Sequence, residues 1–209
     1  MSRPALLTSE TNRVEAFSDG VFAIAITLLI LEIKIPQPGT GQLARQLLQQ
    51  WPSYISFLIS FAFIGVMWVN HHRLFTYIKR CDHNLLMLNL LLLLGVTWVP
   101  YPTAVLASHL NQQDQRPAVI LFSGTYLFIA LAFRLLWKYA SSRRRGLLAE
   151  DVDWTLVEGI SRRYGFGPIL YSLCFALAWV NAAACLTLNF ALACFFALPP
   201  RYFLGASRQ

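Results

Sequence analysis

Asp19 lies inside a stretch, Arg13 to Lys34, that is otherwise almost wholly apolar: RVEAFSDGVFAIAITLLILEIK. An ionisable group in such a segment points to an ion or proton path, or to a buried partner. A short Asp side chain snorkels poorly, so a buried, paired carboxylate is expected here. The other side chains with chemistry to offer are Ser18 beside it, Asn70, His71 and His72 in a second apolar segment, and Asn89 in a leucine-rich third. If the second segment descends and the third ascends, these residues share one side of the membrane, with His83 and Asn84 close by. The pattern supports an inner polar cluster of Ser18, Asp19, His71 or His72, and an Asn. Adjacent His71 and His72 point about 100° apart on a helix, so one of the two faces the cluster. Arg13 sits six residues before Asp19, roughly 240° around, and cannot pair with it along one face.

Other chemistries fit poorly. His109 falls at the opposite membrane end from His71, His72 and His83, and no repeated ligand spacing appears, so neither a metal nor a haem is expected. Ser18 and Asp19 are neighbours with no nucleophile elbow and no second carboxylate, which argues against an enzyme. Cys174, Cys185 and Cys194 lie in apolar runs, and Cys81 in a basic loop, so no structural disulfide is expected. No cofactor is implied.

The elements that must position these residues are membrane helices. The chain has 209 residues, 56% hydrophobic and only 13% charged, with mean hydropathy +0.51. Soluble domains carry about a quarter charged residues. This is therefore an all-α integral membrane protein, one bundle without a soluble catalytic domain. Arg13 to Lys34 covers about 32 Å as a helix, roughly one hydrocarbon thickness. Six spans are expected, at 13–33, 52–78, 83–109, 117–139, 168–181 and 183–198. Pro36, Pro38, Gly39 and Gly41 end the first, and Leu43 to Gln50 reads as a short interfacial segment. Pro100 and Pro102 predict a kink in the third. Glu150 to Arg163 is charged and amphipathic, and reads as a helix lying on the membrane surface or on the bundle, with Gly165, Gly167 and Pro168 introducing the next hydrophobic block. The uncharged run Ile169 to Leu198 is too long for one span, so a hairpin with its turn at Asn181 fits, stopped by Pro199 and Pro200.

The net charge of +7 need not mean nucleic acid, because cytoplasmic loop bias explains it in a polytopic protein. With the N-terminus inside, the inner segments carry Arg3, Arg13, Arg73, Lys79, Arg80, Lys138, Arg143, Arg144, Arg145, Arg162, Arg163, Arg201 and Arg208. The outer segments keep only Lys34, Arg45 and Arg116. Both termini are thus expected in the cytoplasm, in an inner-membrane, multi-pass protein.

Above Asp19, Ile24, Leu28 and Leu31 follow i, i+4, i+7 spacing, a single apolar stripe that by spacing alone suits helix packing as well as a pore. Three ordered motifs then carry a resemblance. Arg13-x-x-x-Phe17-Ser18-Asp19, Trp68-x-x-His71-His72-x-x-Phe75 and Trp98-Val99-Pro100-Tyr101-Pro102-Thr103 resemble the signatures of the transmembrane protein 175 family of potassium channels. The single unit without internal repeat resembles the prokaryotic six-helix form. The resemblance implies a homotetramer with helix one lining the axis, permeable to potassium ions across the lipid bilayer. It implies a constriction of apolar rings at Ile24, Leu28 and Leu31, with Thr27 as the adjoining polar position, in place of a carbonyl filter. Arg13, Phe17, Ser18 and Asp19 would brace helix one against the inner polar cluster of Asn70, His71, His72 and Asn89. The alternative is a proton-coupled secondary transporter using Asp19 and a histidine as a relay.

Overall fold

The computed structural model describes residues 11–36, 38–39, 41–110 and 112–197. Within them the chain is helical, with turns and one isolated antiparallel bridge, Ile78 to Leu148. The helices are α1 (Asn12–Leu28), α2 (Leu43–Gln49), α3 (Trp51–Tyr77), α4 (His83–Trp98), α5 (Pro100–His109), α6 (Gln115–Ala140), α7 (Trp154–Leu177) and α8 (Ala182–Ala197). A 3-10 turn, Leu29–Glu32, continues α1. Four stretches are long and apolar enough to cross a membrane: Asn12–Glu32, Trp51–Tyr77, His83–His109 and Gln115–Ala140. Pro199, Pro200, the end of the last expected span at Leu198, and Arg3, Arg201 and Arg208 lie outside the described residues.

α6 is the central post, packed against α4, α5, α7 and α8, while α3 holds α1, α5 and α8 together. Phe63 of α3 stacks on Tyr126 of α6 at 4.0 Å, with Phe122 edge-on to both. α4 and α6 approach closely because position 95 is glycine: a Cβ there would lie 2.7 Å from Ile129 Cγ1. Pro100 interrupts the helix between α4 and α5, where Val99 turns back to Val96 O. Thr103 closes this region, donating to Val99 O and accepting from Ser60 at 2.7 Å.

The ends of the helices are tied by the residues that cap them. Asp82 accepts from Leu85 N as the N-cap of α4 and takes a second bond from the Tyr139 hydroxyl. The long connection after α6 runs beneath the α3–α4 turn: Lys79 N and Arg80 N donate to Leu147 O, and Ala149 N to Tyr77 O. Asp153 caps α7.

One expectation is corrected by this architecture. The amphipathic segment near 150–163 is not set apart from the hydrophobic block that follows; it leads into and forms the first half of α7, which runs unbroken to Leu177. The helix runs on through Pro168, whose missing N–H leaves Tyr164 O without its intrahelical donor, and Arg134 Nη1 reaches across from α6 to the next carbonyl, Gly165 O, at 3.1 Å. Gly167 does not break the helix, and a Cβ there would stand 3.4 Å from the Phe196 ring, an ordinary van der Waals contact. The first span also changes pitch, from α-helix to 3-10 after Leu28. Between α7 and α8 the chain turns through Ala178–Asn181, and Asn181 Oδ1 accepts from Ala184 N.

Candidate functional site

α1 lies at the edge of the bundle and buries one edge only. Ser18, Phe22, Ala25 and Leu29 face α3, α4 and α5, at i, i+4, i+7, i+11. The opposite face carries Phe17, Ile24, Thr27, Leu28 and Leu31, all exposed on the protomer. Arg13 is exposed as well. Phe17 and Arg13 thus turn away from the protomer's own core.

On the buried edge a directional chain of hydrogen bonds ties three helices together. His71 Nε2 and Asn89 Oδ1 lie 2.9 Å apart; Asn89 Nδ2 donates to Ser18 Oγ at 2.9 Å; Ser18 donates to Val14 O at 2.7 Å. With its amide nitrogen committed to Ser18, Asn89 must accept through its oxygen, so His71 donates from Nε2. The imidazole is held between Phe22 and Phe75, the latter stacked at 4.5 Å. All three polar side chains are buried. Each has a partner, as burial away from water requires. The chain is a brace between α1, α3 and α4.

The expected cluster is therefore corrected in membership. Asp19 is not buried and not part of the chain: it is exposed, and its Oδ1 accepts from Trp68 Nε1 at 2.9 Å. The reason is energetic. One of two neighbours had to face inward, and a hydroxyl bonded to its own helix costs far less to bury than a carboxylate. His72 is exposed too and stacks on Trp68 one turn earlier, 6.2 Å between ring centroids. Asn70 faces the other way, to α8: its Nδ2 donates to Val66 O and to Phe196 O. His83 and Asn84 are exposed at the start of α4. A relay from Asp19 to a histidine has no continuous hydrogen-bonded path among the described residues, since Asp19 ends on Trp68 and His71 on Asn89.

One polar knot is not foreshadowed by the motifs. Ser123 of α6 meets Cys185 and Asn189 of α8 in the bundle interior, with Asn189 Nδ2 donating to Ser123 Oγ at 3.1 Å and to Cys185 O. The available signal was Asn189 itself, a lone amide in an uncharged run. Trp68 stood in the second motif with no partner assigned, and its indole is the donor that Asp19 accepts from. Among the described residues no group of three or more His, Cys, Asp or Glu could hold a metal ion.

Fold and site together define an all-helical, multi-pass membrane protein, braced internally by a polar chain and presenting an apolar face on its first helix. The sequence pattern of the family described as endosomal/lysosomal potassium channel TMEM175 matches residues 13–100, which hold the brace and nearly all of the three motifs. A potassium channel of Chamaesiphon minutus is 51% identical over 193 residues, 91% of this chain and 95% of that one. A potassium channel of Streptomyces collinus is 44% identical over 190 residues, 90% and 92% of the two chains. The crystal structure of a lysosomal potassium-selective channel TMEM175 homolog from Chamaesiphon minutus aligns with a TM-score of 0.82 at 48% identity, over 91% of this chain and 97% of that one. The chain belongs to the TMEM175 family, whose members are ion channels and not enzymes.

Proposed function

We propose that this chain forms a potassium-permeable cation channel of the inner membrane, four copies surrounding an axis lined by α1. The observation that carries the reading is the two-sidedness of that helix. Its inner edge is locked to α3 and α4 by the Ser18–Asn89–His71 chain, while Ile24 is 61% exposed, Leu28 42% and Leu31 71%. Apolar side chains left bare on a rigidly held helix suit a hydrophobic constriction, which disfavours water and hydrated ions and gates by dewetting. Potassium sheds its hydration more readily than sodium, so such a ring favours it modestly. Thr27 adjoins the stripe, with its hydroxyl returned to the Ala23 and Ile24 carbonyls. A lone bundle of this size has no axial pore of its own, so closed symmetric assembly is part of the reading.

On this reading α7 and α8 complete six spans, and the excess of Lys and Arg on one side supports both termini in the cytoplasm. Arg13, Phe17, Ser18 and Asp19 act as scaffold, the first two and Asp19 toward a neighbouring subunit. The names of the relatives support potassium as the ion. The test is flux through liposomes reconstituted with the full chain. Ile24→Ser and Leu28→Ser should each raise conductance several-fold and lower the preference for potassium over sodium. Unchanged conduction in both removes them from the constriction, and a monomeric mass in mild detergent sinks the axial pore.

A further inference from the structure

The C-terminal end of α8 is gripped by cations. Arg163 Nη2 donates to Phe195 O at 2.8 Å, Arg73 Nη2 to Ala197 O at 3.4 Å, and Asn70 Nδ2 to Phe196 O at 3.2 Å. A helix C-terminus offers only about half a negative charge, less than the full charge of the Arg73 guanidinium beside it. Among the described residues no carboxylate forms an ion pair with Arg73, and its Nη1 is buried without a hydrogen-bond partner. Such a group is costly to leave unmet, so the recess calls for an anion.

The shape of the surroundings says what kind of anion. Asn70, Arg73, Thr76, Tyr77, Arg163 and Tyr164 line a cleft of about 70 Å³ between α3 and α7, room for a group the size of a few waters. It adjoins an apolar slot that shares Asn70 and Tyr164 and is otherwise walled by groups such as Phe63, Met67, Ala130 and Phe133. Depth agrees. Arg73 lies four residues from the end of α3, about 6 Å along the axis, at headgroup level rather than mid-bilayer. A charged mouth opening into an apolar slot at that depth matches one ligand class.

We propose that this recess binds an anionic phospholipid, its phosphate between Arg73 and Arg163 and an acyl chain in the apolar slot. Planar guanidinium forks suit phosphate oxygens, and basic pockets between helices are where lipid headgroups dock. The inference is independent of what the channel conducts.

The test is lipid binding to the full-length protein in uncharged detergent, read by native mass spectrometry and thermal shift. The probes are phosphatidylglycerol, phosphatidylcholine and inorganic phosphate. Phosphatidylglycerol should bind and stabilise, and the other two should not. Arg73→Gln should weaken phosphatidylglycerol binding at least about fivefold. The exposed neighbour Arg162→Gln should leave it unchanged. Ala130→Phe, which plugs the slot and keeps every charge, should also weaken it, and stands in if Arg73→Gln does not fold. Phosphatidylglycerol binding equally well in the slot and charge variants overturns the proposal, as does inorganic phosphate binding as tightly as the lipid.

Discussion

Asn89→Leu is the sharpest probe of the brace on α1. Leucine nearly preserves volume, so the change removes chemistry rather than packing. Two bonds disappear, one to His71 Nε2 and one to Ser18 Oγ, each 2.9 Å long. Inside a bilayer an interhelical hydrogen bond contributes about 0.6 kcal/mol and at most about 1.7. The greater cost falls on the His71 N–H, buried between Phe22 and Phe75 and now without an acceptor, at about 1–3 kcal/mol. Ser18 keeps its bond to Val14 O and adds little. The expected loss is about 2–4 kcal/mol. His71→Phe removes the orphaned donor, so the double variant His71→Phe/Asn89→Leu should cost less than the sum of the singles by about 1–2 kcal/mol. Reversible unfolding in mixed micelles of increasing SDS fraction, followed by circular dichroism, gives all four corners of the cycle. Strict additivity, or a single-variant loss below about 0.5 kcal/mol, would refute the brace.

Two further outcomes follow from packing and titration. Gly95→Ala would bring a Cβ to 2.7 Å from Ile129 Cγ1 and 3.0 Å from the Phe128 ring, so overpacking at about 1–3 kcal/mol should outweigh the helix-propensity gain of about 1 kcal/mol. Gly165→Ala, with nothing within 4 Å, is the control for the same unfolding assay and should be neutral or slightly stabilising. Burial, and then the Asp82 charge, push the Cys81 thiol up to about 11 from its ordinary 9.0. At about pH 8 its thiolate fraction should be roughly a hundredfold below that of an unfolded cysteine, and methanethiosulfonate labelling correspondingly slower. Because the folded value is raised, this contribution to stability is complete below pH 9.0 and is lost as pH rises through about 11. Labelling of native Cys81 at the rate of the SDS-unfolded protein would refute it.

What could be read from the chain divides along a geometrical line. Depth follows from counting residues along a helix, so the sharing of one membrane end by Ser18, His71 and Asn89 was legible. Azimuth was not. Ser18 and Asp19 differ by about 100°, as do Asn70 and His71, and only the partner helices decide which member turns inward. Local punctuation misled in the same way at α7, where Gly165, Gly167 and Pro168 read as a break. The helix runs on through them to Leu177. The interruption at Val99–Pro100, by contrast, was legible because a lost backbone donor there needs no partner to take effect.

The consequence for Asp19 is more than a change of partner. An ionised carboxylate has capacity for about four acceptor contacts. Within the protomer the 2.9 Å bond from the Trp68 indole uses one of them. A groove beside it is lined by Phe22, Ala23, Ile26, Ile64, Gly65 and Trp68, and a Cβ at Gly65 would meet nothing within 4 Å. Trp68 is itself held in place by His72 stacked behind it. The side chain that looked most like a working residue is therefore oriented from within but left with most of its acceptor capacity facing outward. In the assembly proposed for α1, that capacity is available to donors or waters at the boundary between subunits. On that proposal the motif's acidic residue would fix one protomer against the next, and the unremarkable stripe Ile24, Leu28 and Leu31 would face the ion.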